Sequence, residues 1–291
     1  MPTRGAARAA ATARLAQAGV PTPALDADLL VAHAAGVTKE SLVAHPEVPL
    51  DDAAAARLEE LVRRRAAGEP VAYLRGWKEF YGLRFAVDAR VLVPRPETEQ
   101  LVDAVRAHAR GRRLTVADVG TGSGAIAVTL AVHEPQLRII ATDVSADALA
   151  VAATNAAAHR VAIELREGDL FAPLDPPVDV VAANLPYLRA DALDDLAGDR
   201  TSLAFEPRLA TVSGADGLDL LRRAAADLPG VLAPAGAAFF ECDPPQAGAL
   251  AALLAPLGTV RVLADLAGTD RLVVLERRSP AAPRGARAAA G

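Results

Sequence analysis

Hydrophobic positions follow two regimes along this chain. Through the first 75 residues they recur at helical spacing between clear stops. Thr22-Pro23 sets a cap residue before a proline suited to a first helical position, Leu25, Leu29 and Leu30 follow on one face, and Gly36 marks the stop. Asp51 is placed to cap a further helix whose apolar stripe is Leu58, Leu61 and Val62. Arg63-Arg64-Arg65 suit the negative end of that helix and read as a solvated face, with a partner-binding patch as the alternative, and Gly68 closes it. Residues 77–93 change character. The runs 80–87 and 90–93 predict two strands joined at Asp88-Ala89.

From residue 97 helical and strand patterns alternate. The spacing predicts helices over 97–110, 124–133, 145–158 and 217–228. Short apolar runs predict strands over 114–119, 138–142 and 178–183, with closing strands over 237–241, 260–264 and 271–275. Alternation of this kind predicts an α/β fold, a mostly parallel sheet covered by helices on both faces. The expected division is a helical domain at 1–76, a β-hairpin linker at 77–93, a second domain at 94–278 and a disordered Pro/Ala/Gly/Arg-rich tail at 279–291.

Composition narrows the class. The chain has 291 residues, 52% of them hydrophobic, enough for a packed core. No run of 18 uninterrupted apolar residues is present, which argues against a membrane span, and the Ala/Arg-rich start lacks the apolar block of a signal peptide. Cys242 is the single cysteine, so an intramolecular disulfide is excluded and a cytoplasmic location is expected. One cysteine and five scattered histidines offer no metal-ligand cluster. A formal net charge of −5 argues against direct nucleic-acid binding through phosphate neutralisation.

Two motifs carry the candidate chemistry. Asp118-Val119-Gly120-Thr121-Gly122-Ser123-Gly124 follows a strand and opens a helix. Glycines there allow a tight turn and close ligand approach, and the helix start presents free N–H groups. Asp143 ends the next strand, where an acid can accept from both ribose hydroxyls. The G-x-G-x-G spacing differs from the G-x-G-x-x-G of pyrophosphate binders. Asp118 would disfavour a pyrophosphate but suit a cationic methionyl ammonium, directly or through water. Asp169 could accept from an adenine amino group, with Leu170 or Phe171 packed on the ring. These features point to S-adenosyl-L-methionine, with a dinucleotide as the alternative.

The second motif, Asn184-Leu185-Pro186-Tyr187, sits at the carboxyl edge of a strand, where open α/β sheets bind ligands. A flat NH2 group carries two donors. The Asn184 side-chain oxygen can take one and the Leu185 carbonyl the other, which aims the nitrogen lone pair at a methyl donor. Pro186 holds Leu185 extended, and Tyr187 can stack on the flat group. The acceptor left open by this pocket is an amide or an amino group of a base.

With these residues in place the chain resembles the protein-(glutamine-N5) methyltransferases of the HemK/PrmC type, over roughly residues 20–277. The resemblance rests on Glu69 to Leu74, Glu79 to Leu83, Val91-Leu92-Val93-Pro94-Arg95-Pro96-Glu97-Thr98-Glu99 and the two motifs above. Glu206 to Ala210, Gly214 to Leu218 and Asp265 to Arg271 complete it. It implies a Rossmann-like seven-stranded class I methyltransferase sheet, a small helical domain for substrate recognition, and methylation of the glutamine of a Gly-Gly-Gln motif in peptide chain release factors. It also implies a cofactor site at Asp118, Gly120 to Gly124, Asp143, Asp169, Leu170 and Asn184, with Asn184, Leu185, Pro186 and Tyr187 at the substrate. The family usually has Asn-Pro-Pro-Tyr, so Leu185 is a departure. Asn-Leu-Pro-Tyr also resembles the motif of ribosomal RNA adenine dimethyltransferases, and N-methylation of an adenine in nucleic acid is the alternative function.

Overall fold

The computed structural model describes residues 1–175, 177–193 and 198–278. The expected tail at 279–291 lies outside the described residues. Five helices come first: α1 (Arg4–Gln17), α2 (Pro23–Ala35), α3 (Lys39–Ala44), α4 (Asp52–Ala66) and α5 (Val71–Arg75). Leu15, Leu30, Val31, Leu42, Leu58, Leu61 and Val62 meet in one core. Asp51 caps α4 by accepting from Ala54 N at 2.6 Å. Thr22 makes no cap bond to α2. Its hydroxyl donates instead to Asp26 Oδ1 at 3.0 Å.

The three arginines that end α4 divide. Arg63 pairs with Glu60 and Arg64 with Glu69. Arg65 is buried, bonding to Asp26 Oδ2 at 2.7 Å and to Ser202 Oγ at 3.2 Å. The solvated reading of Arg65 is therefore wrong. Asp26 is buried too, and a buried carboxylate demands a charged partner.

The hairpin is displaced from its expected place. Its strands are β1 (Trp77–Phe80) and β2 (Leu83–Ala86), turning at Tyr81 and Gly82, whose φ values are 54° and 70°. Two successive residues with positive φ form the tight hairpin turn that matches strand twist. The apolar run 80–87 concealed that turn. Asp88 instead turns the chain by accepting from Arg90 N at 3.0 Å, and 90–93 is not a strand.

The rest alternates: α6 (Thr98–Ala109), β3 (Thr115–Val119), α7 (Ala125–His133), β4 (Arg138–Asp143), α8 (Ala146–His159), β5 (Glu164–Glu167) and β6 (Val178–Ala183). Then come α9 (Asp219–Val231), β7 (Leu232–Glu241), α10 (Ala247–Leu254), β8 (Gly258–Ala264) and β9 (Asp270–Arg277). The seven larger strands form one sheet in the order β5-β4-β3-β6-β7-β9-β8. The first five are parallel, and β9 runs antiparallel to both β7 and β8. Alternate residues feed opposite cores. Val119, Val181 and Ala183 pack with α9 and α10 on one face, and Val116, Val180 and Ala182 with α6 and α7 on the other. Burial of both faces explains the largely apolar runs of β3 and β6, each broken by one aspartate. β7 starts five residues before the expected 237, because Pro234-Ala235-Gly236 with Ala235 at φ 62° interrupts the strand pattern without ending the strand.

The chain runs outward from β3 through β4 to β5, then returns to add β6 on the other side of β3. The carboxyl ends of β3 and β6 therefore flank the switch point where open α/β sheets form their crevice. Val119 pairs with Ala183, so the glycine loop and Asn184 leave adjacent strands in register.

Candidate active site

The glycine loop is held from below by β4 and Asp143. Gly120 N and Thr121 N both donate to Thr142 O at 2.9 Å. Asp143 Oδ2 accepts from Gly122 N at 2.9 Å and its Oδ1 from Ser145 N at 3.0 Å. Gly120, Gly122 and Gly124 all have positive φ. A Cβ at Gly124 would stand 3.1 Å from Ala152 Cβ, so this glycine lets α7 and α8 approach. At Gly122 a Cβ would meet nothing within 4 Å, because the loop borders a cavity.

That cavity has a volume of about 430 Å³ and is walled by Gly120 to Ser123, Asp143, Asp169, Leu170, Asn184, Leu185 and Pro186. A second, of about 320 Å³, adjoins it and is walled by Tyr187, Leu188, Ser202, Leu203 and Thr211. Asn184, Leu185 and Pro186 border both. The Asn-Leu-Pro segment, together with Leu92, Arg95 and Ala210, thus lies at the partition between two chambers.

Asp118 is not on either wall. It is fully buried, and its Oδ2 accepts from Thr121 Oγ1 at 2.6 Å and Ala127 N at 3.1 Å. Burial pushes its carboxyl up to about 7, against those hydrogen bonds, with the neighbouring charge of Asp143 adding to the rise. In this geometry Asp118 braces the loop against α7. Asp169 borders the cavity but is ion-paired with Arg223, which sequence reasoning passed over. Leu170 takes φ 47° and is buried, with its carbonyl accepting from Thr142 Oγ1 at 3.2 Å.

Asn184 Nδ2 donates to Thr98 Oγ1 at 3.0 Å. The amide nitrogen is thereby engaged, and Asn184 borders both chambers. Leu185 is buried with its Cδ2 3.1 Å from where a Gly120 Cβ would stand. Leucine thus packs on the glycine loop without removing the backbone carbonyl. Gln246 Nε2 donates to Tyr187 O at 2.9 Å and fixes the far end of the motif. Burial, then the charge of Glu241, raises the Tyr187 hydroxyl above its usual range, so Tyr187 stays neutral.

Sequence reasoning also gave no role to the clamp behind the partition. The Glu206 carboxylate is wholly buried, accepting from Val93 N at 3.1 Å and from Arg95 Nη2 at 2.5 Å. It ties the Val91–Glu99 segment to the Glu206–Ala210 segment. Both had been noticed as family-specific stretches, which was the available signal, but nothing in either revealed that they touch.

The family models for the PrmC N-terminal domain and the methyltransferase small domain match residues 6–76 and 96–201. A release factor glutamine methyltransferase of Cereibacter sphaeroides is 45% identical over 277 residues, 94% of this chain and 97% of its own. This chain belongs to the release factor glutamine methyltransferase family. The enzyme of the same description from Deinococcus radiodurans is 40% identical over 92% of this chain and 96% of its own. A methyltransferase structure from Pyrococcus furiosus shares the fold, with 16% identity, a TM-score of 0.52 and coverage of 77% of this chain and 98% of its own.

Among the described residues no group of three His, Cys, Asp or Glu could hold a metal ion, and no helix is long and apolar enough to cross a membrane.

Proposed function

We propose that this family member transfers the methyl group of S-adenosyl-L-methionine to the side-chain amide nitrogen of the glutamine in the Gly-Gly-Gln motif of peptide chain release factors. The observation that carries the reading is the partition: Asn184, Leu185 and Pro186 border a glycine-loop chamber on one side and a Tyr187 chamber on the other. A donor and an acceptor held in the two chambers would meet across it.

The glycine-loop chamber fits the cofactor. Its open side at Gly122 gives room for close approach, and Asp143, already oriented by Gly122 N and Ser145 N, keeps lone pairs for ribose hydroxyls. Leu170 supplies an apolar wall for the base, and Arg223 or Asp169 borders its edge. When bound, S-adenosyl-L-methionine supplies a sulfonium-activated methyl group. The chain supplies alignment. Asn184 Oδ1 and the Leu185 carbonyl each accept one hydrogen of the glutamine NH2, leaving the lone pair directed through the partition. Tyr187 and Pro186 cover the amide and exclude water. An amide nitrogen is a weak nucleophile, so positioning and desolvation carry most of the rate.

The test is methyl transfer from radiolabelled S-adenosyl-L-methionine to purified release factor, beside its Gln→Ala variant and total RNA. Label confined to the unaltered factor supports the assignment. Label in RNA, or none in protein, overturns it.

A further inference from the structure

The chain that walls the Tyr187 chamber after β6 has no strand beneath it. Before α9 it runs through two 3-10 helices, Gly198–Phe205 and Arg208–Ala210. Helices of that kind have poor internal hydrogen-bond geometry, so their placement depends on what holds them from outside. At the far end Leu188 N donates to Thr211 O at 2.8 Å and Ser213 N to Leu188 O at 2.9 Å, which pins the chain beside the Asn-Leu-Pro-Tyr motif. In the middle the buried Glu206 carboxylate takes Val93 N and Arg95. At the near end Ser202 Oγ accepts from Arg65 Nη1 at 3.2 Å.

Arg65 belongs to α4 of the helical domain, 137 positions before Ser202. It is held tightly where it starts. Its Nε donates to Asp26 Oδ2 at 2.7 Å, and its Nη1 to the carbonyls of Gly68 at 3.1 Å and Glu69 at 3.2 Å. The Arg65 and Asp26 side chains are only 10% and 8% exposed. The guanidinium is planar and rigid, so once fixed on Asp26 it presents a fixed donor to Ser202. Nη1 has two hydrogens for three acceptors, and the long bond to Ser202 fits a shared one. A second contact completes a frame. Tyr73 in α5 donates its hydroxyl to Val91 O at 2.5 Å, two residues before the Val93 N–H that Glu206 takes. The helical domain thus grips both sides of the Glu206 clamp, Ser202 on one and Val91 on the other.

We propose that Arg65 is a positioning residue for the acceptor substrate: through Ser202 the helical domain sets a wall of the Tyr187 chamber. Ser202 and its neighbour Leu203 wall that chamber but not the glycine-loop chamber. A slack wall should therefore loosen the fit of the acceptor and leave the cofactor untouched. An ion pair that served only the helical bundle could be exchanged for well-packed apolar side chains at little or no cost. The outward bond to Ser202 gives a reason to keep an arginine there. It also gives a use to the third arginine of the basic triplet, which neither a solvated face nor a partner-binding patch accounts for.

The effect on turnover rests on the proposed glutamine methylation; the tether does not. Ser202→Ala removes the acceptor while leaving the Arg65–Asp26 pair intact, so the fold should hold. In the protein alone, hydrogen-exchange mass spectrometry should show residues 202–211 exchanging roughly 10-fold faster in Ser202→Ala, with Ser202→Thr restoring protection. With release factor, Ser202→Ala should raise KM by roughly 5- to 20-fold, lower kcat by less, and leave calorimetric cofactor affinity unchanged. A contact that merely held the fold would lower melting temperature and cofactor affinity together. Arg65→Lys keeps a charge for Asp26 but cannot fork to Ser202 as well, so it should raise KM in the same way. The double variant should be no worse than the worse single one, since both cut one link. Additive losses would mean that Ser202 meets the substrate independently of Arg65, and would overturn the proposal. Native exchange or a native KM in Ser202→Ala overturns it too, and the Ser202 variants decide alone if Arg65→Lys does not fold. A native protein that methylates no release factor overturns the functional reading instead, and the exchange measurement still decides the tether.

Discussion

Gly217→Ala tests whether the partition is set by the backbone packed behind it. Gly217 has φ 78°, and a Cβ there would stand 2.1 Å from Tyr187 O and 2.5 Å from Gln246 Nε2. Neither atom can yield freely. Gln246 Nε2 donates to Tyr187 O at 2.9 Å and to Asp216 O at 3.2 Å, so the methyl would wedge between a donor and its acceptors. The left-handed conformation costs a non-glycine residue about 1–2 kcal/mol. Loss of the Gln246 bond adds roughly 1 kcal/mol, and more if the Tyr187 carbonyl is left buried without a partner. The expected total is about 2–4 kcal/mol by urea denaturation. The effect on rate should exceed the effect on fold, because Tyr187 must move by a sizeable fraction of an ångström, and misplacement of about 1 Å at a reacting centre costs about 10²-fold. Gly19→Ala is the control. Its φ is 74°, but a Cβ there meets nothing within 4 Å, so it carries the conformational cost alone and should leave kcat unchanged. A Gly217→Ala protein no less stable than Gly19→Ala, with native kcat, would refute the argument.

Three further outcomes follow from the site. Asn184→Ala should lower kcat by roughly 10²-fold or more while circular dichroism stays native, and near-native turnover would remove Asn184 from the mechanism. Asp143→Ala strips the acceptor from Gly122 N and Ser145 N as well as from any ribose, so calorimetric cofactor affinity should fall by roughly 10- to 100-fold; an unchanged value counts against it. Asp118 and Glu241 each sit near 7 in the folded state, above their ordinary 3.8 and 4.5, so the folded chain holds protons that the unfolded chain has shed. Their contribution is therefore fully favourable below the ordinary carboxylate range and is lost as pH rises to about 7, by on the order of 3–4 kcal/mol each as an upper bound. Glu241→Gln and Asp118→Asn should each flatten the fall in denaturation free energy between pH 4.5 and 8, and slopes identical to native would contradict these placements.

Much of this was legible before any coordinates. β3, β4 and β6 are read as apolar runs because a parallel sheet buries both faces, and both motifs fall at strand ends because that is where such sheets open. What the sequence concealed was of two kinds. Local misreadings arose where backbone conformation overrode pattern: the positive φ at Tyr81 and Gly82 moved the hairpin, and Pro234-Ala235-Gly236 hid the start of β7. The other kind was partnership over long separation. Thr98 lies 86 positions from Asn184 and Glu206 lies 113 from Val93, and no periodicity encodes such pairs. Arg65 was read as solvated for the same reason, since its partner Asp26 belongs to another helix.

The buried acids fall into two groups, and the division says what each is for. Asp26 and Glu206 are paired with Arg65 and Arg95, and they tie elements together. Asp118 and Glu241 have no cationic hydrogen-bond partner, and among the described residues they hold the only carboxylate oxygens buried without any hydrogen-bond partner. Both lie at the carboxyl end of a strand in the sheet, one behind the glycine loop and one behind Asn184. Burying a carboxyl with an unused acceptor is unfavourable, and a fold selected for stability alone would replace it with an apolar side chain. Retention of both acids directly behind the two motifs is accounted for if their acceptor capacity is needed there. Asp118 takes the Thr121 hydroxyl and the Ala127 N–H and so shapes the loop. Glu241 lies buried at the end of β7, on the strand that neighbours the one Asn184 leaves. On this reasoning the rigidity of the partition comes from groups that weaken the fold around it, and substitutions that stabilise this chain at those two positions should be the ones that slow it.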